Sequence, residues 1–183
     1  MLARRGALDP EVVARRSETV VQRIRSLPEF SGLADQAIIG AYLGIRGEID
    51  PSPLLQDSLL RTALPVTTPG EALRFVIPDG VLVDGPFGIR QPDRGVEVDP
   101  TDLAIVLVPL VVADRRGNRV GHGAGFYDRT FANLVRVPGT PERQPGPLLV
   151  GLCHDLQVVE ELEARPWDVP LDVLVTEVGL IRP

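Results

Sequence analysis

The chain contains no lysine; all 19 of its cationic residues are arginine, among 183 residues. A Walker-type phosphate loop needs a lysine and is therefore excluded. Any anion site has to be built from arginine, backbone N–H groups, helix ends or metal. Cysteine is almost as scarce. The single Cys153 rules out an internal disulfide, and its place in the apolar run LLVGLC marks it as a buried, inert thiol. Only two histidines occur, His122 and His154, so a zinc site is not expected. No apolar run approaches the ~18 residues of a membrane span. The opening MLARRGALDPEVV lacks the apolar core of a signal peptide. A cytoplasmic location is the expectation, with no membrane partner. The net charge of −6 argues against wholesale binding to nucleic acid.

The apolar fraction of 44% and charged fraction of 24% are ordinary for a globular domain with a real core. Leu8-Asp9-Pro10-Glu11 reads as a helix start, with Asp9 as cap and Pro10 at the first helical position. Val13, Val20, Ile24 and Leu27 follow at helical spacing, and Pro28 ends the element. Residues 37–43 (AIIGAYL), 103–109 (LAIVLVP), 148–153 (LLVGLC) and 173–177 (VLVTE) read as buried strands. Residues 63–66 and 72–77 are shorter strand candidates. Helices are expected at 54–60, 126–135 and 156–164. Residues 78–92 read as an ordered loop, and 137–147 as a surface insertion without chemistry. Alternating strands and helices predict one α/β domain, a mainly parallel sheet flanked by helices, over residues 1–183.

The stretch 108–134, VPLVVADRRGNRVGHGAGFYDRTFANL, organises the rest. An apolar run leads through a polar turn into Gly117, Gly121, Gly123 and Gly125, and then into a helix. Glycines allow close backbone approach, and a helix start offers free N–H groups to an anion. Residues 114–129 carry four arginines against two aspartates, a local excess of positive charge in an acidic protein. The loop after the 37–43 strand carries Glu48 at the carboxyl end of that strand, where open α/β sheets bind ligands.

The block Asp114-Arg115-Arg116-Gly117-Asn118-Arg119-Val120-Gly121-His122-Gly123-Ala124-Gly125-Phe126-Tyr127-Asp128-Arg129 resembles the signature of the 5-formyltetrahydrofolate cyclo-ligase family, also called methenyltetrahydrofolate synthetase. Leu27-Pro28-Glu29-Phe30, Tyr42-Leu43 with Gly47-Glu48-Ile49-Asp50, and Gly85-Pro86-Phe87-Gly88-Ile89 with Pro92 are similar to further family segments. So are Asp168-Val169-Pro170, Asp172 and Val175-Thr176-Glu177, all in the family's order.

The resemblance implies a three-layer fold of the NagB/RpiA/CoA-transferase-like kind and an ATP- and Mg²⁺-dependent ring closure. 5-Formyltetrahydrofolate becomes 5,10-methenyltetrahydrofolate, with release of ADP and phosphate. No protein nucleophile is expected. It implies ATP contacts from Arg119, Val120, Gly121, His122, Gly123, Ala124, Gly125, Phe126 and Tyr127. Arg4 and Arg5 fall at the end of the family's N-terminal phosphate-binding segment and join that set. Folate contacts are implied for Leu43, Glu48 and the His122–Phe126 stretch (His122, Gly123, Ala124, Gly125, Phe126). Asp128 and Asp172 are the implied Mg²⁺ ligands. A monomer is expected.

Three departures stand out. The family's N-terminal K-x-x-x-R-like pair has no lysine counterpart here, and Met1 falls late against that segment, so a start upstream of it is one expectation. Ala124 stands where Lys or Gly is frequent, and Leu110 where Gly is. Losing one charge-assisted phosphate contact costs roughly 1.5–3 kcal/mol, which slows turnover without abolishing it. The alternative reading is a paralogue that binds nucleotide or folate with weak or no cyclo-ligase activity.

Overall fold

The computed structural model describes residues 1–134 and 145–183. The chain begins with a one-turn helix, α1 (Leu2–Gly6), followed by α2 (Pro10–Arg25). Asp9 Oδ1 accepts the Glu11 N–H at 2.7 Å and Pro10 opens α2, as the sequence marks. Val20, Val21 and Ile24 form its buried stripe. The helix stops at Ser26, two residues before Pro28, and Pro28 starts the short helix α3 (Pro28–Ser31).

The strands that follow are β1 (Ile38–Gly40), β2 (Arg61–Val66), β3 (Arg74–Pro78), β4 (Leu82–Asp84), β5 (Arg90–Pro92) and β6 (Gly95–Val98). After them come β7 (Ile105–Pro109), β8 (Val112–Asp114), β9 (Arg119–Val120) and the helix α4 (Phe126–Thr130). The chain closes with β10 (Leu148–Leu152), β11 (Val158–Val159), β12 (Val173–Val175) and β13 (Leu180–Ile181).

Eight strands form the main sheet in the order β13-β12-β10-β7-β1-β2-β3-β6. Its centre, from β12 to β2, is parallel; β13 and the β3–β6 pair are antiparallel edges. β7 shows why its sequence is continuously apolar. Ile105 and Leu107 pack with Val20, Ile24, Ile39 and Val150 on one face. Val106 and Val108 pack with Phe75, Phe131 and Leu149 on the other. A strand covered on both faces has no polar side to alternate with. Each such Val or Leu contributes about 1.5–3 kcal/mol through burial. Cys153 is buried here as expected, and burial pushes its thiol pKa far up. No helix among the described residues is long and apolar enough to cross a membrane.

Four expectations need correction. Residues 156–164 are not a helix. A 3-10 turn at Asp155–Gln157 runs into β11, whose two β-branched valines pair with β8. Gln157 is buried there, donating to the Leu110 and Val111 carbonyls at 3.0 Å each. Residues 54–60 form only a 3-10 turn at Ser52–Gln56, ended where Asp57 Oδ1 accepts the Leu59 N–H. The helix expected at 126–135 lasts five residues as α4 before a 3-10 turn at Ala132–Leu134. Residues 78–92 contain the β4–β5 hairpin, with Phe87 at φ +63° near its tip. Of the expected insertion at 137–147, residues up to 144 lie outside the described residues.

Asp114 organises the polar turn between β8 and β9. It is fully buried, and its carboxylate accepts the N–H groups of Arg116, Asn118 and Leu162 and the Asn118 side-chain amide, at 2.9–3.0 Å. Burial alone would raise its pKa, but these hydrogen bonds outweigh burial and hold it below the usual carboxylate range. Its stabilisation is therefore complete above the unfolded value near ~3.9 and fades as pH falls through the lower folded value. Asp114→Ala should cost about 3 kcal/mol at neutral pH in urea unfolding. That difference should shrink as the medium is acidified below about pH 4.

Candidate functional site

The loops after β1, β7 and β10 converge at the carboxyl ends of the parallel strands. The loop after β1 turns sharply at Arg46 and Gly47, both at positive φ (+50° and +74°). Four anchors hold it. Tyr42 OH donates to the Ile49 carbonyl at 2.7 Å, and Asp50 Oδ1 accepts the Gly44 and Ser52 N–H groups at 3.1 Å. The Asp50 N–H donates to Ser17 Oγ of α2 at 3.0 Å. His154, fully buried, donates from Nε2 to the Gly47 carbonyl at 2.9 Å. Burial keeps that imidazole's pKa below its ordinary value despite the opposing pull of this bond.

Glu48 is 7% exposed and points from this loop into a cavity of about 690 Å³. Its Oε2 accepts the Ile45 N–H at 3.2 Å, and its Oε1 stands 3.2 Å from Arg5 Nη2. Burial raises the Glu48 pKa above the usual carboxylate value, and Arg5 offsets only part of the rise.

The opposite wall is the glycine-spaced loop. β9 delivers Arg119 and Val120, and the backbone then passes Gly121, Gly123 (φ +86°) and Gly125 (φ +64°) into α4. A Cβ added at Gly121 or Gly123 would meet no protein atom within 4 Å. This stretch of backbone therefore faces open space. Because α4 has only five residues, the macrodipole expected of a longer helix is small.

The arginines of this wall are already engaged. Arg119 donates to Asp128 Oδ1 at 2.8 Å and to the Val169 carbonyl. Arg129 donates to the Ala124 carbonyl at 2.6 Å, and Arg116 pairs with Glu161. Asp128 Oδ1 also accepts the Val169 N–H at 3.1 Å. Among the described residues Oδ2 has no hydrogen-bond partner, so it is the free oxygen at the cavity edge.

The cavity brings together Leu43, Glu48 and every residue from Arg119 to Asp128. It does not bring in Arg4, Arg5 or Asp172. Arg4 is exposed on α1, whereas Arg5 turns inward and is 1% exposed. Asp172 precedes β12, at the amino end of the parallel strands, where its Oδ2 accepts the Leu149 N–H at 2.7 Å. The expected pairing of Asp128 with Asp172 across one ion is therefore not formed at this cavity. Among the described residues, no cluster of three or more His, Cys, Asp or Glu could hold a metal ion.

Further lining residues carry no site role in the sequence reading, although Phe87 and Asp168 lie in the family-like segments. Arg46 sits on the Glu48 loop and donates to the Phe87 carbonyl at 3.2 Å. Phe87, half-exposed, meets Phe126 edge-on at 6.0 Å and carries the hairpin to the cavity mouth. Arg165 lies 5.7 Å over the ring of Trp167, which is 61% exposed, and Asp168 follows. The one tryptophan of the chain, preceded by Arg165 and Pro166 in a loop, is the available signal. A smaller hollow of about 530 Å³ adjoins the cavity and shares Gly125, Asp128 and Trp167 with it. His122 is exposed on the glycine loop, and its pKa is lowered first by desolvation and then by Arg5 and Arg46.

A sequence profile described as the 5-formyltetrahydrofolate cyclo-ligase family matches residues 1–177. The chain belongs to that family. The cyclo-ligase of Escherichia coli K12 is 32% identical over 182 residues, covering 94% of each chain. That of Haemophilus influenzae is 36% identical over 148 residues, covering 75% of this chain and 74% of its own. In structure, the 5,10-methenyltetrahydrofolate synthetase of Aquifex aeolicus superposes with a TM-score of 0.78 at 34% identity, covering 99% of this chain and 88% of that one. The chain is thus an enzyme of the ligase class, in folate metabolism, on the α/β fold that its sequence implies.

For this cyclo-ligase family member, Gly121 separates stability from ligand approach. Gly121→Ala meets no protein atom and should leave the melting temperature unchanged. If the loop backbone closes on a ligand, the methyl displaces it by about 1 Å, and turnover should fall roughly 100-fold. Steady-state rates beside thermal melts check both halves.

Proposed function

We propose that the protein uses ATP and Mg²⁺ to cyclise 5-formyltetrahydrofolate to 5,10-methenyltetrahydrofolate, with release of ADP and phosphate. The observation that carries this reading is the single cavity in which a buried carboxylate, Glu48, faces an open glycine backbone across the ends of the sheet. Glu48 offers acceptor oxygens to the N–H groups of an aminopyrimidine edge. Phe87, Phe126 and Leu43 supply apolar wall for the rest of that ring system. The Gly121–Gly125 backbone takes the phosphates.

In the reaction, the formyl oxygen attacks the γ-phosphorus and the bond to ADP breaks. N10 then adds to the activated formyl carbon and gives up its proton, the five-membered ring closes, and the C–O bond breaks as phosphate leaves. No protein nucleophile takes part. The chain positions two substrates and spreads charge. Arg119, held by Asp128 and the Val169 carbonyl, keeps its guanidinium fixed beside the loop.

The cavity's charge supports a requirement for Mg²⁺. Three arginines (Arg46, Arg119, Arg165) face four carboxylates (Glu48, Asp128, Glu163, Asp168), so the protein alone does not neutralise a triphosphate. The free Oδ2 of Asp128 fits an ion that takes one or two carboxylates and otherwise phosphates and water. Bound there, Mg²⁺ supplies charge neutralisation on the transferring phosphoryl group.

The test is the near-ultraviolet absorbance of the methenyl product when purified protein receives 5-formyltetrahydrofolate and Mg-ATP. No rise at saturating ATP overturns the reading. Calorimetric binding of folate or nucleotide without turnover instead supports the non-catalytic paralogue. The observation favouring that paralogue is the absence of Arg4 and Arg5 from the cavity lining.

A further inference from the structure

Among the described residues, Arg5 is the one buried arginine, and its guanidinium is fixed on three sides. Nε donates to the Arg46 carbonyl at 3.2 Å and Nη1 to the Leu110 carbonyl at 3.1 Å. Nη2 lies 3.2 Å from Glu48 Oε1, an ion-pair distance outside hydrogen-bond angles, and has no hydrogen-bond partner among the described residues. The two carbonyls belong to different loops, one following β1 and one following β7. The planar fork of arginine can bridge them and still present an edge to a carboxylate, a geometry that the compact ammonium of lysine reproduces only in part. Gly47 leaves room for this: a Cβ there would stand 2.9 Å from the Arg5 carbonyl oxygen. Glu48 Oε2 is held independently by the Ile45 N–H.

We propose that Arg5 is a positioning residue that holds the Glu48 carboxylate in place for the aminopyrimidine edge of the folate, and does not contact ATP. The inference rests on the reading of Glu48 as the folate-binding carboxylate. It replaces the phosphate role that resemblance alone implies for Arg5. The groups acting electrostatically with Glu48 are Arg5, Arg46, Tyr42 and Tyr127, with His122 feeling the same two arginines. Of these, Arg5 exerts the largest charge effect on Glu48.

Arg5→Met and Arg5→Lys test it through two readouts. In kinetics, Arg5→Met should raise KM for 5-formyltetrahydrofolate roughly 10- to 100-fold, with Arg5→Lys between it and the parent, and leave KM for ATP unchanged. A rise in KM for ATP with the folate KM unmoved overturns the proposal and returns Arg5 to the phosphates. In the free protein, the Glu48 carboxyl titration followed by ¹³C NMR should move to higher pH in Arg5→Met and partly return in Arg5→Lys. An unmoved titration overturns the proposal. If Arg5→Met fails to fold, Arg5→Lys carries both readouts. If the parent protein neither binds nor turns over 5-formyltetrahydrofolate, the functional reading has failed. The NMR titration then decides separately whether Arg5 governs Glu48.

Discussion

Glu48→Gln should lower kcat/KM for 5-formyltetrahydrofolate roughly 10- to 150-fold and leave KM for ATP unchanged. An ionised acceptor contributes about 1.5–3 kcal/mol to each hydrogen bond that it receives, at about 1.4 kcal/mol per decade. The amide of Gln is nearly isosteric but turns one acceptor into a donor, which opposes the N–H groups of an aminopyrimidine. Stability should fall as well. Because burial raises the folded pKa of Glu48 above its unfolded value, carrying the charge costs more in the fold than in the unfolded chain, and removing it relieves that difference. The larger effect is on Arg5, which cannot shed its proton and would keep only the Arg46 and Leu110 carbonyls. Breaking a buried pair from one side usually costs 3–5 kcal/mol, so a net loss of about 2 kcal/mol is expected in urea unfolding. An unchanged folate KM would remove Glu48 from the substrate site.

Asp128→Asn should slow turnover roughly 10- to 150-fold and raise the Mg²⁺ concentration needed for half-maximal rate. Asn keeps the acceptor atom that Arg119 and the Val169 N–H use, so the wall stays in place. What disappears is the charge on Oδ2, the oxygen available to an ion. Folate binding measured without nucleotide should be unaffected. A variant with full turnover and an unshifted Mg²⁺ titration would mean that Asp128 serves only to hold Arg119.

The features legible in the sequence were those written in contiguous residues. The Asp9-Pro10 start of α2, the unbroken apolar run of β7 and the glycine spacing from 121 to 125 each carry their reason locally. The 156–164 segment misled because Leu156, Val159 and Leu162 recur at helical spacing. The chain follows other demands: Gln157 reaches Leu110 and Val111, Val158 and Val159 join β8, and the Leu162 N–H bonds to Asp114. Arg5 and Asp172 were assigned by position in a motif order. Their partners, Glu48 and the Leu149 N–H, are set by how distant segments stack. Arg46, Phe87 and Trp167 reach the cavity from loops whose direction follows from tertiary packing, so their roles were not readable beforehand.

The bond between Arg5 and the Leu110 carbonyl spans 105 positions of chain. During synthesis α1 emerges before β7, yet the Arg5 guanidinium has no seat until β7 has been made and β1 has been enclosed between β7 and β2. A nascent chain must therefore carry Arg5 without these partners until Leu110 has been made. Topologies built on such distant pairings fold slowly and expose sheet edges while they wait. The cavity wall at Glu48 is thus completed late, and a chain interrupted before Leu110 has β1 without one neighbour and Glu48 without its bridge.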